Sequence, residues 1–108
     1  MANFAVGNTV KLTQSNLFRN FIDDQINSFN LTKVGEVYHE FENGGYTAVI
    51  CLTESHLSIH TWPEIKYLTF DIFLSNYLKD NRATTRALYE KVKLFFQANA
   101  VLEQTIER

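Results

Sequence analysis

Residues 34–53 read Val-Gly-Glu-Val-Tyr-His-Glu-Phe-Glu-Asn-Gly-Gly-Tyr-Thr-Ala-Val-Ile-Cys-Leu-Thr. Val34 to Phe41 and Tyr46 to Thr53 are rich in β-branched and aromatic residues, and Asn43-Gly44-Gly45 lies between them, which predicts strand, turn, strand. Two more strand-like runs follow, Leu57 to Thr61 and Tyr67 to Leu74. They are separated by Trp62-Pro63-Glu64, where the one proline of the chain interrupts the ladder. Consecutive strands joined by short turns predict an antiparallel sheet.

Working outward, Ala5 to Thr13 alternate loosely and predict a first strand, with Ser15 and Asn16 as helix-capping candidates. Leu17, Phe18, Phe21, Ile22, Ile26 and Phe29 then recur at three- and four-residue spacing, while Arg19, Asp23, Asp24 and Asn27 take the other side. On the far side, Thr84 or Thr85 would cap a second helix. Its buried stripe is Leu88, Val92, Phe95 and Phe96, and its wet face is Arg86, Glu90, Lys91 and Lys93. Val101 to Ile106 read as a last strand. The order β-α-β-β-β-β-α-β predicts an α+β fold, a two-layer sandwich of a mostly antiparallel sheet with two helices on one face. Residues 1–108 are expected to form one domain, with no internal repeat or boundary.

Composition narrows the function. Apolar residues make up 45 % of the 108 residues and aromatics 14 %, so there is ample surface to bury and no signature of disorder. Net charge is −2 and the basic residues are scattered, so neither nucleic acid nor an anionic membrane is an expected partner. No basic segment precedes an apolar run at the N-terminus and no stretch approaches the roughly 18 apolar residues of a membrane span, so a cytoplasmic protein is expected. Cys51 is the single cysteine, which excludes an internal disulfide or a thiolate metal cluster within one chain and reads as a small core residue.

Chemistry concentrates in Glu54-Ser55-His56-Leu57-Ser58-Ile59-His60-Thr61-Trp62-Pro63-Glu64, which holds two His, two Ser and two Glu. If 56–60 are extended, His56, Ser58 and His60 share one face and Leu57 and Ile59 the other. Three readings of the polar face compete. It is a solvated sheet face; or a metal site in which Glu64 joins the two histidines, without the helical spacing or cysteine pair that usually marks one; or a site where a serine beside a histidine is activated.

The run from Leu52 to Glu64 closely resembles the self-processing segment of the prokaryotic type of S-adenosylmethionine decarboxylase proenzymes. The likeness extends upstream through His39-Glu40-Phe41, the glycine turn and Tyr46-Thr47-Ala48-Val49, and downstream to Phe70-Asp71-Ile72-Phe73. The resemblance implies that the chain cuts itself between Glu54 and Ser55. The Ser55 hydroxyl would attack the preceding carbonyl in an N-to-O acyl shift. β-Elimination from the resulting ester would then leave dehydroalanine, which tautomerises and is hydrolysed by water, with loss of ammonia, to a pyruvoyl group on the second fragment, with no external cofactor and no metal.

By the same resemblance, His60 is the base that removes the α-proton of the ester, as a neutral imidazole can near neutral pH. Thr47 stands where the family has a Ser or Thr that assists processing; read alone, it is a β-branched strand residue. In the mature family enzyme the pyruvoyl carbonyl forms a Schiff base with the substrate and accepts the electrons released when carbon dioxide leaves. Glu64 matches the acid that holds the ribose hydroxyls, and Glu54 is a further substrate contact. Phe41 and Trp62 match aromatics that sandwich the adenine and lie near the sulfonium; read alone, they are hydrophobic strand and turn residues. The expected assembly is a homodimer of cleaved protomers with sheet edges meeting.

One position departs from the family. Twenty residues after the reactive serine the family has Cys, usually followed by Gly, as proton donor to the substrate carbon; here Ser75-Asn76 stand there. A thiol of pKa about 8.5 yields its proton far more readily than an alkyl hydroxyl. The leading expectation is a pyruvoyl-dependent decarboxylase of S-adenosylmethionine that serves spermidine biosynthesis. Beside it stand a pyruvoyl enzyme acting on arginine or ornithine and a silent paralogue that binds the adenosyl group without reacting.

Overall fold

A computed structural model describes residues 2–6, 10–75 and 80–103, with residues 2, 3 and 99–103 described by their backbone alone. The elements are β1 (Ala2–Val6), α1 (Val10–Thr13), α2 (Ser15–Ser28), β2 (Lys33–Glu40), β3 (Tyr46–Leu52), β4 (Ser55–Trp62), a 3₁₀ turn (Pro63–Ile65), β5 (Tyr67–Phe73), α3 (Arg82–Phe96) and β6 (Ala98–Glu103). The strands form one sheet in the order β2-β3-β4-β5-β1-β6, and every neighbouring pair is antiparallel. The α+β sandwich expected from the sequence is therefore the observed architecture.

Period-two alternation sorts the strands. Tyr46, Ala48, Ile50 and Leu52 of β3, Leu57, Ile59 and Thr61 of β4, and Leu68 and Phe70 of β5 are buried on one face. Phe18, Ile22 and Ile26 of α2 and Leu88, Val92 and Phe96 of α3 close over that face. The helices also meet each other: the Phe21 and Phe95 rings stack at 4.3 Å and the Phe18 and Phe96 rings at 6.0 Å. The opposite face carries no helix among the described residues, and Val37 and Val49 stand exposed on it.

Several local expectations are corrected. The first strand is Ala2–Val6, and Val10–Thr13 form a helical turn instead of its continuation. Its alternation suits a strand, but tertiary anchors decide the matter: Leu12 is fully buried and the Lys11 ammonium donates to the Phe95 carbonyl at 2.7 Å. Ser15 opens α2 without capping it, because its hydroxyl donates to Glu40 Oε1 at 2.5 Å. Asn81, not Thr84 or Thr85, occupies the cap position of α3. Cys51 is exposed on the open face, since alternation puts it opposite the buried Ile50. The last strand lies at Ala98–Glu103; residues 104–106 of the expected strand fall outside the described residues.

Thr61 brings a hydroxyl into the strand core. Its Oγ1 accepts the Tyr46 N–H at 2.9 Å and donates to the Leu12 carbonyl at 2.8 Å, tying β3, β4 and α1 together. Tyr46 adds its own hydroxyl to the Lys11 carbonyl at 3.0 Å, and burial pushes that phenol far above its ordinary pKa, so it stays a donor. Thr61→Val keeps the shape but strands two buried polar groups. Urea unfolding is expected to show a loss of about 1–3 kcal/mol; an unchanged midpoint would mean that water replaces the hydroxyl.

Candidate active site

The open face is set by cross-strand register. His39, Thr47, His60 and Thr69 form one row across β2, β3, β4 and β5, and Trp62 pairs with Tyr67 next to it. Phe41 follows His39 at the end of β2. Around this end the rings make a continuous series. His39 meets Phe41 edge-on at 4.8 Å, Phe41 stacks on His60 at 5.2 Å, His60 stacks on Trp62 at 4.0 Å, and Trp62 meets Tyr67 at 5.7 Å.

The glycine turn closes this end. Gly44 takes φ +93°, which glycine adopts without steric cost. A Cβ on Gly45 would lie 2.7 Å from the Thr61 carbonyl oxygen and 3.0 Å from Pro63 Cδ, so only glycine lets the turn rest on the start of the Pro63–Ile65 turn. That contact brings Asn43 to Glu64, whose Oε2 accepts from the Asn43 amide at 3.2 Å. Asn43 Oδ1 in turn accepts the Gly45 N–H at 3.0 Å. Glu64 is exposed and held at the rim of the ring series. Thr47 pairs with His60 across the strands, and its hydroxyl donates to the Ile59 carbonyl at 3.1 Å.

The second cluster sits at the other end of β4. Leu52 pairs with Ser55, which leaves Thr53 and Glu54 as a two-residue hairpin turn. Glu54 lies at φ +64°, in the left-handed region, where a residue with a Cβ is strained by about 1 kcal/mol. Immediately after it, Ser55 Oγ accepts the backbone N–H of Ser75 at 3.1 Å. Ser75 is itself anchored: its carbonyl accepts from the Asn81 amide at 2.6 Å. Asn81 thus turns its side chain away from helix capping and onto the loop that follows β5.

The sequence-predicted residues therefore form two groups. Glu54, Ser55 and Ser75 are together, and Phe41, Thr47, His60, Trp62 and Glu64 are together. Ser55 and His60 are five residues apart on one strand, an odd number that places their side chains on opposite faces, and roughly 17 Å apart along it at about 3.3 Å per residue. Between the two groups, His56 Nε2 lies 3.5 Å from Asp71 Oδ2 and its ring rests against Phe73 at 5.8 Å. Among the described residues no three or more His, Cys, Asp or Glu side chains gather as a metal site would require.

The sequence model for S-adenosylmethionine decarboxylase matches residues 1–108. The chain belongs to this family. It is similar to the S-adenosylmethionine decarboxylase proenzyme of Archaeoglobus fulgidus, 39 % identical over 62 residues that make up 57 % of this chain and 55 % of that one. It is 44 % identical over 55 residues to the proenzyme of the same name from Hydrogenobaculum sp., covering 51 % of this chain and 41 % of that one. The matched part thus spans about half the length of these curated relatives. The crystal structure of the adenosylmethionine decarboxylase from Aquifex aeolicus has a TM-score of 0.76 at 20 % identity, covering 99 % of this chain and 92 % of that chain, which is a likeness of fold.

S-adenosylmethionine decarboxylases are pyruvoyl-dependent and are made as proenzymes. Around the two groups of side chains, several neighbours leave no mark in the sequence pattern. By pattern Tyr67 is only a strand residue, yet the register sets its ring against Trp62. Asn43 is only a turn residue by pattern, and its hold on Glu64 depends on the close approach at Gly45. Asn81 reads locally as a helix-cap residue, and its bond to the Ser75 carbonyl six residues earlier has no signal in the sequence pattern.

Proposed function

We propose that this chain is a single-domain proenzyme that cuts itself between Glu54 and Ser55 and then decarboxylates S-adenosylmethionine for spermidine synthesis in the cytoplasm. The observation that carries this reading is the Ser55 hydroxyl, held by the Ser75 N–H beside a left-handed Glu54 on an exposed turn. The N–H leaves the serine proton free and fixes the oxygen near the bond it must attack. Opening that bond also releases the strain at Glu54. These residues fit the formation of a pyruvoyl group from Ser55, which supplies an electron sink for decarboxylation.

The chain's own residues would do the rest. His60 takes the α-proton of Ser55 once the ester has formed, and Thr47 orients the peptide beside His60 through the Ile59 carbonyl. Glu64, steadied by Asn43, accepts hydrogen bonds from ribose hydroxyls, and Phe41 and Trp62 offer ring faces to a cationic nucleoside. Because Ser55 and His60 of one chain lie at opposite ends of β4, a two-fold homodimer is the arrangement that lets both groups meet. Each copy would supply Ser55 to one site and His60 to the other.

Denaturing mass spectrometry of the purified protein tests the reading. Two fragments divided at Glu54 and Ser55 are expected, the second blocked by pyruvoyl. A single intact chain after prolonged incubation would leave a family member that does not process itself.

A further inference from the structure

The two aromatic rings matched to adenine do not face each other across an open slot: the imidazole of His60 lies between them. Phe41 stacks on it at 5.2 Å with 27° between the planes, and Trp62 stacks on it at 4.0 Å with 21°. His39 braces Phe41 edge-on at 4.8 Å, and Tyr67 braces Trp62 at 5.7 Å. Among the described residues the His60 imidazole has no hydrogen-bond partner, so its orientation is set by these rings.

We propose that Phe41 and Trp62 are positioning residues for self-processing: they clamp His60 in the orientation from which it takes the α-proton of the Ser55 ester. The proposal rests on His60 being the processing base and adds a role for the rings before any substrate arrives. Backbone alternation accounts for the geometry. Phe41 extends the row of His39, and Trp62 follows His60 by two residues on the same face, so both rings flank the imidazole by register alone. A flat ring held on both sides loses its freedom about the side-chain torsions, while the two ring nitrogens stay open at the edge of the stack. A base displaced by about 1 Å from its proton can lose a hundredfold in rate.

The step affected is defined. The acyl shift transfers the Glu54 acyl group from the Ser55 nitrogen to Ser55 Oγ and frees the amine. Elimination then removes the Ser55 α-proton to His60, forms the Cα–Cβ double bond and expels the Glu54 carboxylate. Losing the clamp should slow elimination and leave the ester standing. Hydroxylamine reports that ester, since its nitrogen attacks the ester carbonyl to give a Glu54 hydroxamate and releases Ser55 with its hydroxyl and amino group intact.

The experiment follows cleavage of freshly purified wild-type, Trp62→Leu, Trp62→Phe, Phe41→Leu and His60→Ala chains by denaturing mass spectrometry, with and without hydroxylamine, alongside circular dichroism. Trp62→Leu is expected to process at least about tenfold more slowly than wild type and to accumulate hydroxylamine-cleavable ester as His60→Ala does. Trp62→Phe should recover most of the rate, because it keeps a flat face. Trp62→Leu processing at the wild-type rate overturns the clamp, and so does slow processing without ester, which would place the defect in the acyl shift or the fold. If Trp62→Leu does not fold, Phe41→Leu decides on the same two readouts. A wild-type chain that never cleaves, or a His60→Ala chain that processes normally, would instead remove the underlying reading of Ser55 or His60.

Discussion

Ser55→Ala and His60→Ala chains, each unable to complete self-cleavage alone, are expected to restore it when expressed together. The expectation follows from the 17 Å or so of strand and the change of face that separate Ser55 from His60 in one chain. Ser55→Ala has no nucleophile, and His60→Ala can form the ester but lacks the base for elimination. In a mixed dimer, one site joins the intact Ser55 of the His60→Ala chain to the intact His60 of its partner, and the other site lacks both groups. Random pairing makes about half of the dimers mixed, so about half of the His60→Ala chains should end as fragments divided at residue 54, and no Ser55→Ala chain should. Tags of different mass distinguish the two. Native mass spectrometry must show the mixed dimer; if it is present and its chains stay whole, the site is built within one chain and the two-fold arrangement is wrong.

Much of this division is legible in the sequence, although it takes the register to see it. The glycine turn and the four strand-like runs lead directly to the antiparallel sheet, and the polar face of His56, Ser58 and His60 appears where alternation puts it. The parity that separates Ser55 from His60 is written in the same run, because five is odd. Other features depend on tertiary contacts that local pattern does not carry. Val10 to Thr13 alternate as a strand would, but the buried Leu12 and the Lys11 bond to Phe95 hold them in a helical turn. Residue type alone assigns Cys51 to the core, and its strand position turns it outward. Asn81 has the chemistry of a helix cap, and a loop carbonyl takes its amide instead.

That loop also carries the departure from the family, and Ser75→Cys is expected to raise decarboxylation of S-adenosylmethionine by about a hundredfold, the lower end of what a positioned general acid contributes. The position suits a proton donor, because the Ser75 N–H lies 3.1 Å from Ser55 Oγ and the group on its Cα therefore stands beside the residue that becomes the electron sink. The chemistry of the side chain is what falls short. An alkyl hydroxyl gives up a proton with difficulty, while a thiol of pKa about 8.5 does so near neutrality. Asn81 anchors the Ser75 carbonyl through the backbone, so exchanging Oγ for Sγ leaves that anchor in place. The rate is to be read as carbon dioxide release per pyruvoyl end, so that differences in processing do not enter. The pH profile supplies the second readout: the gained rate belongs to the protonated thiol and should decline as pH rises through about 8.5, whereas the wild-type rate should not follow that curve. An unchanged rate with full processing would mean that the substrate carbon receives its proton from elsewhere, and turnover of arginine or ornithine by the wild type would then become the comparison to make.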